Sequence, residues 1–255
     1  MYGMPEEIDV RAEGEIRIIT LNRPDALNAV NDPLHEGLAQ LWPRLSEDYD
    51  ARAAVITGAG RAFSAGGDFG YLQELGDDPK LRAKTILHGR EIVLGLTRCR
   101  VPLVAAVNGP AVGLGCSLVA LSDIVYISPQ AYLADPHVQV GLVAADGGPI
   151  TWPLHISLLL AKEYALTGER ITAQRAVELG LANHLSEDPV ADAVNAAQKM
   201  TKLPRQALEA TKRLLNLHME QAVLATLDFG NTAEEQSFRT DDFKAIVSGL
   251  NARKN

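Results

Sequence analysis

A histidine and two aspartates lie within one short stretch of the chain, in the segments Asp135-Pro-His137 and Asp146-Gly-Gly148. A histidine whose ring N–H is held by a carboxylate is fixed in one tautomer, and its free nitrogen can take a proton from water near neutral pH. Asp146 follows His137 by nine positions, which is far enough for the chain to fold back. We therefore predict that His137 is a general base oriented by Asp146. A loop histidine and a helix-capping aspartate are the alternative.

Two glycine-rich turns could supply the electrophilic half of such a site. The first is Gly58-Ala-Gly-Arg-Ala-Phe-Ser-Ala-Gly-Gly-Asp68 and the second is Asn108-Gly-Pro-Ala-Val-Gly-Leu-Gly115. Backbone N–H groups at the start of a helix attract negative charge, and two that converge would form an oxyanion hole. Neither turn matches a dinucleotide or a nucleoside triphosphate motif. Each could also be no more than a tight connection between a strand and a helix.

The elements that would position these groups alternate between strand and helix. Predicted strands are Glu15–Leu21, Ala53–Thr57, Leu103–Val107 and Ile124–Ser128. Predicted helices are one capped by Asp32-Pro33 that ends at Ser46, one over residues 80–98, a short one ending at Leu121, and Leu158–Leu166, Thr172–Leu179 and Pro204–Ala225. Strands that follow one another through helices form a parallel sheet, so the fold class is α/β.

Composition and charge exclude several classes of protein. The 255 residues are 47% hydrophobic and carry a net charge of −8, with no basic block, so a nucleic acid is not an expected partner. The chain has neither a basic, apolar N-terminal leader nor an apolar run of about 18 residues, which predicts a cytoplasmic protein without a membrane partner. Cys99 and Cys116 are predicted to be buried thiols, and no ligand spacing suggests a metal.

Several motifs taken together resemble the crotonase superfamily, also called the enoyl-CoA hydratase/isomerase family. They are Leu21-Asn-Arg-Pro-Asp-Ala-Leu-Asn28, Arg61-Ala-Phe-Ser-Ala-Gly-Gly-Asp68, Pro102-Leu-Val-Ala-Ala-Val-Asn-Gly109, Ser122-Asp-Ile124 and Leu166-Thr-Gly-Glu-Arg-Ile-Thr172. The resemblance implies a crotonase-like ββα spiral core over residues 1–190. It also implies a C-terminal helical trimerisation region over residues 191–255, packed on the core and on neighbouring subunits of a homotrimer or a dimer of trimers.

The same resemblance assigns functional positions and shows where this chain departs from the family. The oxyanion-hole amides fall on Gly67 and Leu114. Hydratases of the family use two glutamates to handle water and a proton, and those positions are here Ser117 and His137. Hydration by two glutamates is therefore not available to this chain, and the His137 and Asp146 pair stands in its place.

The active-site pattern is also similar to that of the 6-oxocamphor hydrolases, members of the superfamily that cleave a cyclic β-diketone without coenzyme A. The positions that carry over are His137, Asp146, His35, Phe69 and Glu234. Two positions differ, because a tryptophan of that pattern is here Val30 and a histidine is Leu114. Read from the residues alone, His35 could be a helix-surface histidine and Glu234-Glu235 could be solvated charges.

Three functions remain open at this point. The leading hypothesis is an enzyme that holds the enolate or oxyanion of an acyl-CoA thioester at Gly67 and Leu114, activates water with His137 and Asp146, and is aided by Glu234 and His35. Val30, Phe69 and Ser117 would line the substrate pocket, coenzyme A would enter only as part of the substrate, and no cofactor would be bound. The alternatives are a coenzyme A-independent hydrolase of a cyclic β-diketone and a non-catalytic binding subunit.

Overall fold

Two β-sheets form the framework of the molecule. The computed structural model describes residues 2–252. The strands in this range are β1 Ile8–Glu13, β2 Ile16–Leu21, β3 Ala53–Gly58, β4 Leu103–Val107, β5 Ala111–Val112, β6 Ile124–Ile127, β7 Tyr132–Ala134, β8 Ile171–Thr172 and β9 His184–Leu185. The larger sheet has the order β1-β2-β3-β4-β6-β9 and is parallel except at β1-β2. The smaller sheet has the order β5-β7-β8.

Helices cover both faces of the larger sheet. They are α1 Asp32–Glu47, α2 Phe69–Asp77, α3 Pro79–Arg98, α4 Leu114–Ala120, α5 Gly148–His155, α6 Leu158–Thr167, α7 Ala173–Leu179, α8 Pro189–Thr201, α9 Arg205–Ser237 and α10 Asp241–Ala252. Short 3-10 helices lie at Pro24–Ala26 and His137–Val140. No helix within residues 2–252 is long and apolar enough to cross a membrane.

Alternation of side chains along the central strands divides the core into two layers. In β3, Ala54 and Ile56 face the main core that α1 and α3 cover, whereas Ala53 and Val55 face the layer under α8. All six residues of β3 are buried, which explains why its sequence is continuously apolar rather than alternating. The parallel order places the carboxyl ends of β3 and β4 side by side, so the loops that follow them meet at one edge.

The four predicted strands and the parallel sheet are confirmed, and the differences have local causes. Strand β1 was not predicted because it is an edge strand whose residues are mostly exposed. The helix cap predicted at Asp32 is instead Asn31, whose side chain accepts a hydrogen bond from the Leu34 N–H at 3.1 Å. Helix α9 does not end near Ala225 but continues to Ser237.

The C-terminal helices pack on the rest of the chain in different ways. Helix α8 covers one face of the larger sheet through Ala193 and Ala197, so the predicted boundary between residues 190 and 191 falls inside a helix of the core. Helix α9 packs against α3 and α5, and α10 packs against α2. The last two helices thereby reach the edge of the sheet where the glycine loops lie.

Candidate active site

The two glycine loops pair with each other along a short stretch of backbone. Ser64 and Ala111 form a parallel bridge, and the Val112 N–H donates to the Ser64 carbonyl at 2.9 Å. Gly113 has φ +53°, a conformation that side-chain-bearing residues rarely adopt. A Cβ at this position would lie 3.6 Å from both Gly66 Cα and His137 Cε1. The positive φ therefore favours glycine here, since a Cβ would make only ordinary van der Waals contacts with the first loop and the histidine ring.

The two residues predicted to supply oxyanion-hole amides, Gly67 and Leu114, line one cavity. Leu114 is the first residue of α4, where a helical N–H has no partner in its own helix. On either side of Gly67, the Val30 N–H donates to the Gly66 carbonyl and the Asp68 N–H donates to the Val30 carbonyl. The Gly67 N–H takes no part in these backbone hydrogen bonds. Within residues 2–252, no acceptor is recorded for either N–H, and both residues line the same cavity.

The segment before α1 braces the first glycine loop. Asn28 donates through Nδ2 to the carbonyls of Ala59 and Ala62 at 2.9 and 2.8 Å, and Ser64 Oγ donates to the Asn28 carbonyl at 2.8 Å. The guanidinium of Arg23 contacts Asp68 at 3.3 Å. These contacts fix the position of the first glycine loop, so the motif around Asn28 has a structural role in positioning Gly67.

Asp135, rather than Asp146, holds the ring N–H of His137. His137 Nδ1 makes a short hydrogen bond with Asp135 Oδ1. Asp146 Oδ1 instead faces the other ring nitrogen, Nε2, at 4.0 Å, which is too long for a direct hydrogen bond. The structure therefore corrects the prediction that Asp146 is the residue that orients His137. Asp135 directly follows strand β7, so the carboxylate that holds Nδ1 lies at the end of that strand.

Close approach of α5 places Asp146 beside this pair. A Cβ at Gly147 would lie 1.9 Å from Ser117 Oγ, and a Cβ at Gly148 would lie 2.3 Å from Asp135 Oδ2. Only glycine fits at these two positions, so Asp146-Gly-Gly148 is a packing motif and not a helix cap. Asp146 Oδ1 then accepts a hydrogen bond from Ser117 Oγ at 3.1 Å.

Helix α9 brings a third carboxyl group to the site through its extension beyond Ala225. Gly230 packs against Ala145, because a Cβ there would lie 3.3 Å from Ala145 Cα. Glu234 follows one turn later and lines the cavity together with His137 and Asp146. The Glu234-Glu235 pair is therefore split, since Glu235 turns away to Arg82 and Arg239.

Burial and mutual repulsion set the protonation of this cluster. Burial alone would lower the pKa of His137, but the charge and hydrogen bond of Asp135, with Asp146 and Glu234, raise it to about 10. Burial, with the charges of Asp146 and Asp135, raises the pKa of Glu234 to about 8. Burial also raises the pKa of Asp146, against the opposing charge of His137. At neutral pH the ring is thus an imidazolium and Glu234 is uncharged.

This protonation changes the expected part played by His137. A neutral imidazole can accept a proton from water, whereas an imidazolium can only donate one. With a pKa of about 10, the ring favours its protonated form near pH 7, which differs from the neutral base predicted from the sequence. The carboxyl oxygen that faces Nε2, at 4.0 Å, belongs to Asp146.

One cavity of about 380 Å³ collects most of the predicted site residues. Val30, Phe69, His35 and Glu234 line it along with the loops of Gly67 and Leu114. Ser117 does not belong to the lining, because it is 1% exposed and lies behind Asp146, which it contacts. The predicted pocket role of Ser117 is therefore replaced by a supporting one.

His35 is not a surface residue, although its helix reads as amphipathic. Its exposure is 7%, and its ring stacks on His88 with centroids 6.1 Å apart. Burial and the charges of His88 and Lys84 lower its pKa to about 3, so the ring is neutral. Helix α3, which packs against α1, covers the face that would otherwise meet solvent.

Sequence reasoning missed three residues near the cavity. Asp135 was visible in the motif Asp135-Pro-His137, but spacing alone could not show which carboxylate meets which ring nitrogen. Tyr71 and Thr85 line the cavity next to His35, and their hydroxyl oxygens lie 2.5 Å apart. They come from two different helices, so no local pattern links them.

The class of protein follows from comparison with known families. Residues 11–254 match the model of the family described as enoyl-CoA hydratase/isomerase. The chain therefore belongs to this family, and it is a crotonase-superfamily enzyme with a crotonase-like α/β fold.

Particular relatives share nearly the whole length of the chain. The chain is 34% identical over 235 residues to the mitochondrial enoyl-CoA hydratase of Pongo abelii, covering 90% of this chain and 78% of that protein. It is 34% identical over 224 residues to the 2,3-dehydroadipyl-CoA hydratase of Escherichia coli, and the match covers 87% of this chain and 86% of that protein. A crystal structure of an enoyl-CoA hydratase/isomerase from Mycobacterium paratuberculosis superposes with a TM-score of 0.97 at 75% sequence identity. The superposition covers 98% of this chain and 100% of that one.

Proposed function

We propose that this enzyme adds water across the double bond of an enoyl-CoA thioester, with Asp146 and His137 as the proton acceptor and donor. The observation that carries the proposal is the 4.0 Å separation between Asp146 Oδ1 and His137 Nε2. Two atoms at that distance can both reach one oxygen at hydrogen-bonding length. The same cavity contains the amides of Gly67 and Leu114, which suit a carbonyl oxygen that becomes negative.

The proton transfers balance within this set of groups. As the water oxygen bonds to the β-carbon, Asp146 takes its proton and the electrons of the double bond move to the thioester oxygen. The N–H groups of Gly67 and Leu114 stabilise the resulting enolate. His137 then gives its Nε2 proton to the α-carbon, and the proton on Asp146 returns to the ring. The product is the β-hydroxyacyl thioester.

The supporting groups preserve this distribution of charge. Asp135 holds Nδ1, so only Nε2 can exchange a proton with the substrate. Ser117 donates to Asp146 and stabilises its carboxylate form. Glu234, being uncharged at neutral pH, limits the excess of negative charge around the ring.

A second candidate is coenzyme A-independent cleavage of a cyclic β-diketone, and the surface near Arg23 favours it. The neighbouring acidic side chains Glu6, Glu7 and Asp25 share one shallow pocket with Arg23. The guanidinium of Arg23 is itself engaged by Asp68 and the Ala29 carbonyl. The motif Asn22-Arg-Pro-Asp-Ala-Leu-Asn28 resembles the thioester-binding segment of the family, and here it offers little free positive charge to the phosphates of coenzyme A.

The same groups would serve this second reaction. Water activated by Asp146 would attack one keto carbon, and the bond to the central carbon would break. The expelled enolate would be held by Gly67 and Leu114, and His137 would protonate its carbon. The two reactions therefore differ in substrate and not in machinery.

Calorimetric titration with a panel of enoyl-CoA thioesters and a panel of cyclic β-diketones separates the candidates. The proposal expects binding of the thioesters and none of the diketones, and the converse would establish the second candidate. A non-catalytic subunit is tested by His137→Ala, because unchanged turnover of every accepted substrate in that variant would remove the catalytic assignment.

We also propose that the chain assembles as a homotrimer or a dimer of trimers. Large apolar side chains of α6 and α9 are exposed, among them Leu159 and Phe229 at 80% each. Exposed apolar area of this kind marks subunit contacts. Light scattering that gave a monomer at micromolar concentration would refute this assembly.

A further inference from the structure

The cavity has a second polar end, which the reaction proposed above does not use. His35 on α1, Tyr71 on α2 and Thr85 on α3 all line it. His35 lies against the rings of His88 and Tyr71, whereas His137 lies against Asp135 and Asp146. The two polar groups therefore have different neighbours within the same cavity.

The hydrogen bonds at this second end leave unused capacity. Thr85 Oγ1 donates to the Leu81 carbonyl at 2.9 Å, and its oxygen lies 2.5 Å from the Tyr71 hydroxyl. The Tyr71 hydroxyl is also hydrogen-bonded to Asp32. Its single proton is therefore taken by Thr85 or Asp32, and the Tyr71 oxygen offers a ligand acceptor capacity only. His35 is 7% exposed, and neither of its ring nitrogens pairs with a described residue. Because Nδ1 is fully buried, the nitrogen that a ligand in the cavity can reach is Nε2.

The charge state of these groups restricts what they can recognise. Burial and the charges of His88 and Lys84 keep the His35 ring neutral, since its pKa is lowered to about 3. Lys84 is held by Asp32 and Glu36 at 3.0 and 2.7 Å and is not free to bind an anion. Burial and the nearby Asp32 raise the pKa of Tyr71, which stays protonated. An anionic group would therefore find no positive partner here.

We propose that His35 and Tyr71 recognise a hydroxyl group on the acyl portion of the substrate. A hydroxyl can donate to the Tyr71 oxygen and also pair with the neutral imidazole of His35, whereas a methyl group satisfies neither and a carboxylate cannot donate to Tyr71. His35 is then a specificity-determining residue rather than a proton-transfer residue. The proposal rests on the function proposed above for the identity of the carrier, coenzyme A.

The test compares ligands that are identical except at one position of the acyl group. Enoyl-CoA thioesters ending in a methyl, hydroxyl or carboxylate group are titrated by calorimetry, together with cyclic β-diketones with and without a ring hydroxyl. The variants are His35→Leu and Tyr71→Phe. Tyr126→Phe is the matched control, because Tyr126 stacks on His184 on β6 and β9, outside the cavity lining.

We expect the wild-type protein and Tyr126→Phe to bind the hydroxylated ligand roughly tenfold more tightly than its methyl counterpart. In His35→Leu and Tyr71→Phe this ratio should fall towards one, and in turnover the change should appear in KM rather than kcat. Equal binding of both ligands by the wild-type protein, or a preference kept in both variants, would overturn the inference.

The design separates the inference from the function on which it rests. If only the diketones bind and the hydroxylated one is preferred through His35, the acyl-CoA assignment fails and the recognition of a hydroxyl stands. If the thioesters bind with no preference for the hydroxyl, the acyl-CoA assignment stands and the inference fails.

Discussion

Replacing Asp135 by asparagine should turn His137 from a proton donor into a ring that is neutral at physiological pH. The pKa of His137 is about 10, compared with 6.5 for an unperturbed histidine, and Asp135 is the largest of the influences that raise it. The difference corresponds to about 5 kcal/mol in favour of the protonated ring. Without Asp135, burial opposes protonation and only the smaller influences of Asp146 and Glu234 favour it, so we expect the pKa of His137 to fall well below its wild-type value.

The assay is nuclear magnetic resonance of selectively labelled histidine rings between pH 5 and 10.5. The wild-type His137 resonance should titrate only near the upper limit of that range, and the Asp135→Asn resonance at least two pH units lower. Asp188→Asn is the matched control, since Asp188 caps α8 outside the cavity lining and asparagine caps equally well. A wild-type ring that titrates near 6.5, or a variant ring that titrates with the wild type, would refute the reasoning.

Three further perturbations test separate parts of the site. Leu114→Pro removes one oxyanion N–H at the first position of α4, where proline is accepted, and should lower kcat by about 10²–10³. Leu114→Ala keeps the N–H and should leave kcat unchanged. Equal losses of kcat in the two variants would refute the assignment of this amide. Asp146→Asn should lower kcat by about 10²–10⁴ with KM little changed, and a raised KM at normal kcat would mark a structural role instead. Because the pKa of Glu234 is raised to about 8 from 4.5, ionisation costs the folded state up to about 5 kcal/mol as the pH rises through that interval. Glu234→Gln should therefore be more stable than the wild type to urea at pH 9, with the advantage shrinking towards pH 5; a constant difference would contradict this.

The sheet and its loops could be predicted from the sequence because short stretches of neighbouring residues determine them. Strand β4 was predicted with its observed bounds, since Pro102 and Asn108 delimit a short apolar run. The glycine loops followed from spacing, and Gly113 and Gly66 do have positive φ. Edge strand β1 and the two-residue strands carry too few buried residues to leave a periodic pattern.

Distant contacts decided the parts that could not be predicted. His35 looked like a surface residue because nothing in α1 shows that α3 covers it. Asp135, and not the predicted Asp146, contacts Nδ1 of His137 because of the path that residues 138–147 take. Gly147 and Gly148 set that path by packing against Ser117 and Asp135. Glu234 reaches the site only because α9 continues for three more turns, past the glycine that contacts Ala145.

The protonation state of the cluster is the least local property of all. It arises from three carboxyl groups that act on one imidazole. They come from the residue after β7, the segment before α5, and α9. Sequence spacing alone suggested a neutral base near pH 7, because a lone histidine titrates there. Burial and the added charges reverse that expectation.

The dependence of kcat on pH tests the central claim most directly, measured with whichever thioester or diketone calorimetry selects. If His137 donates a proton and Asp146 accepts one, kcat stays high through neutral pH and falls with an apparent pKa near 10 as the ring loses its proton. In Asp135→Asn the falling limb should move to lower pH. A kcat that instead rises as His137 loses its proton would show that the ring is the base, and would contradict the account.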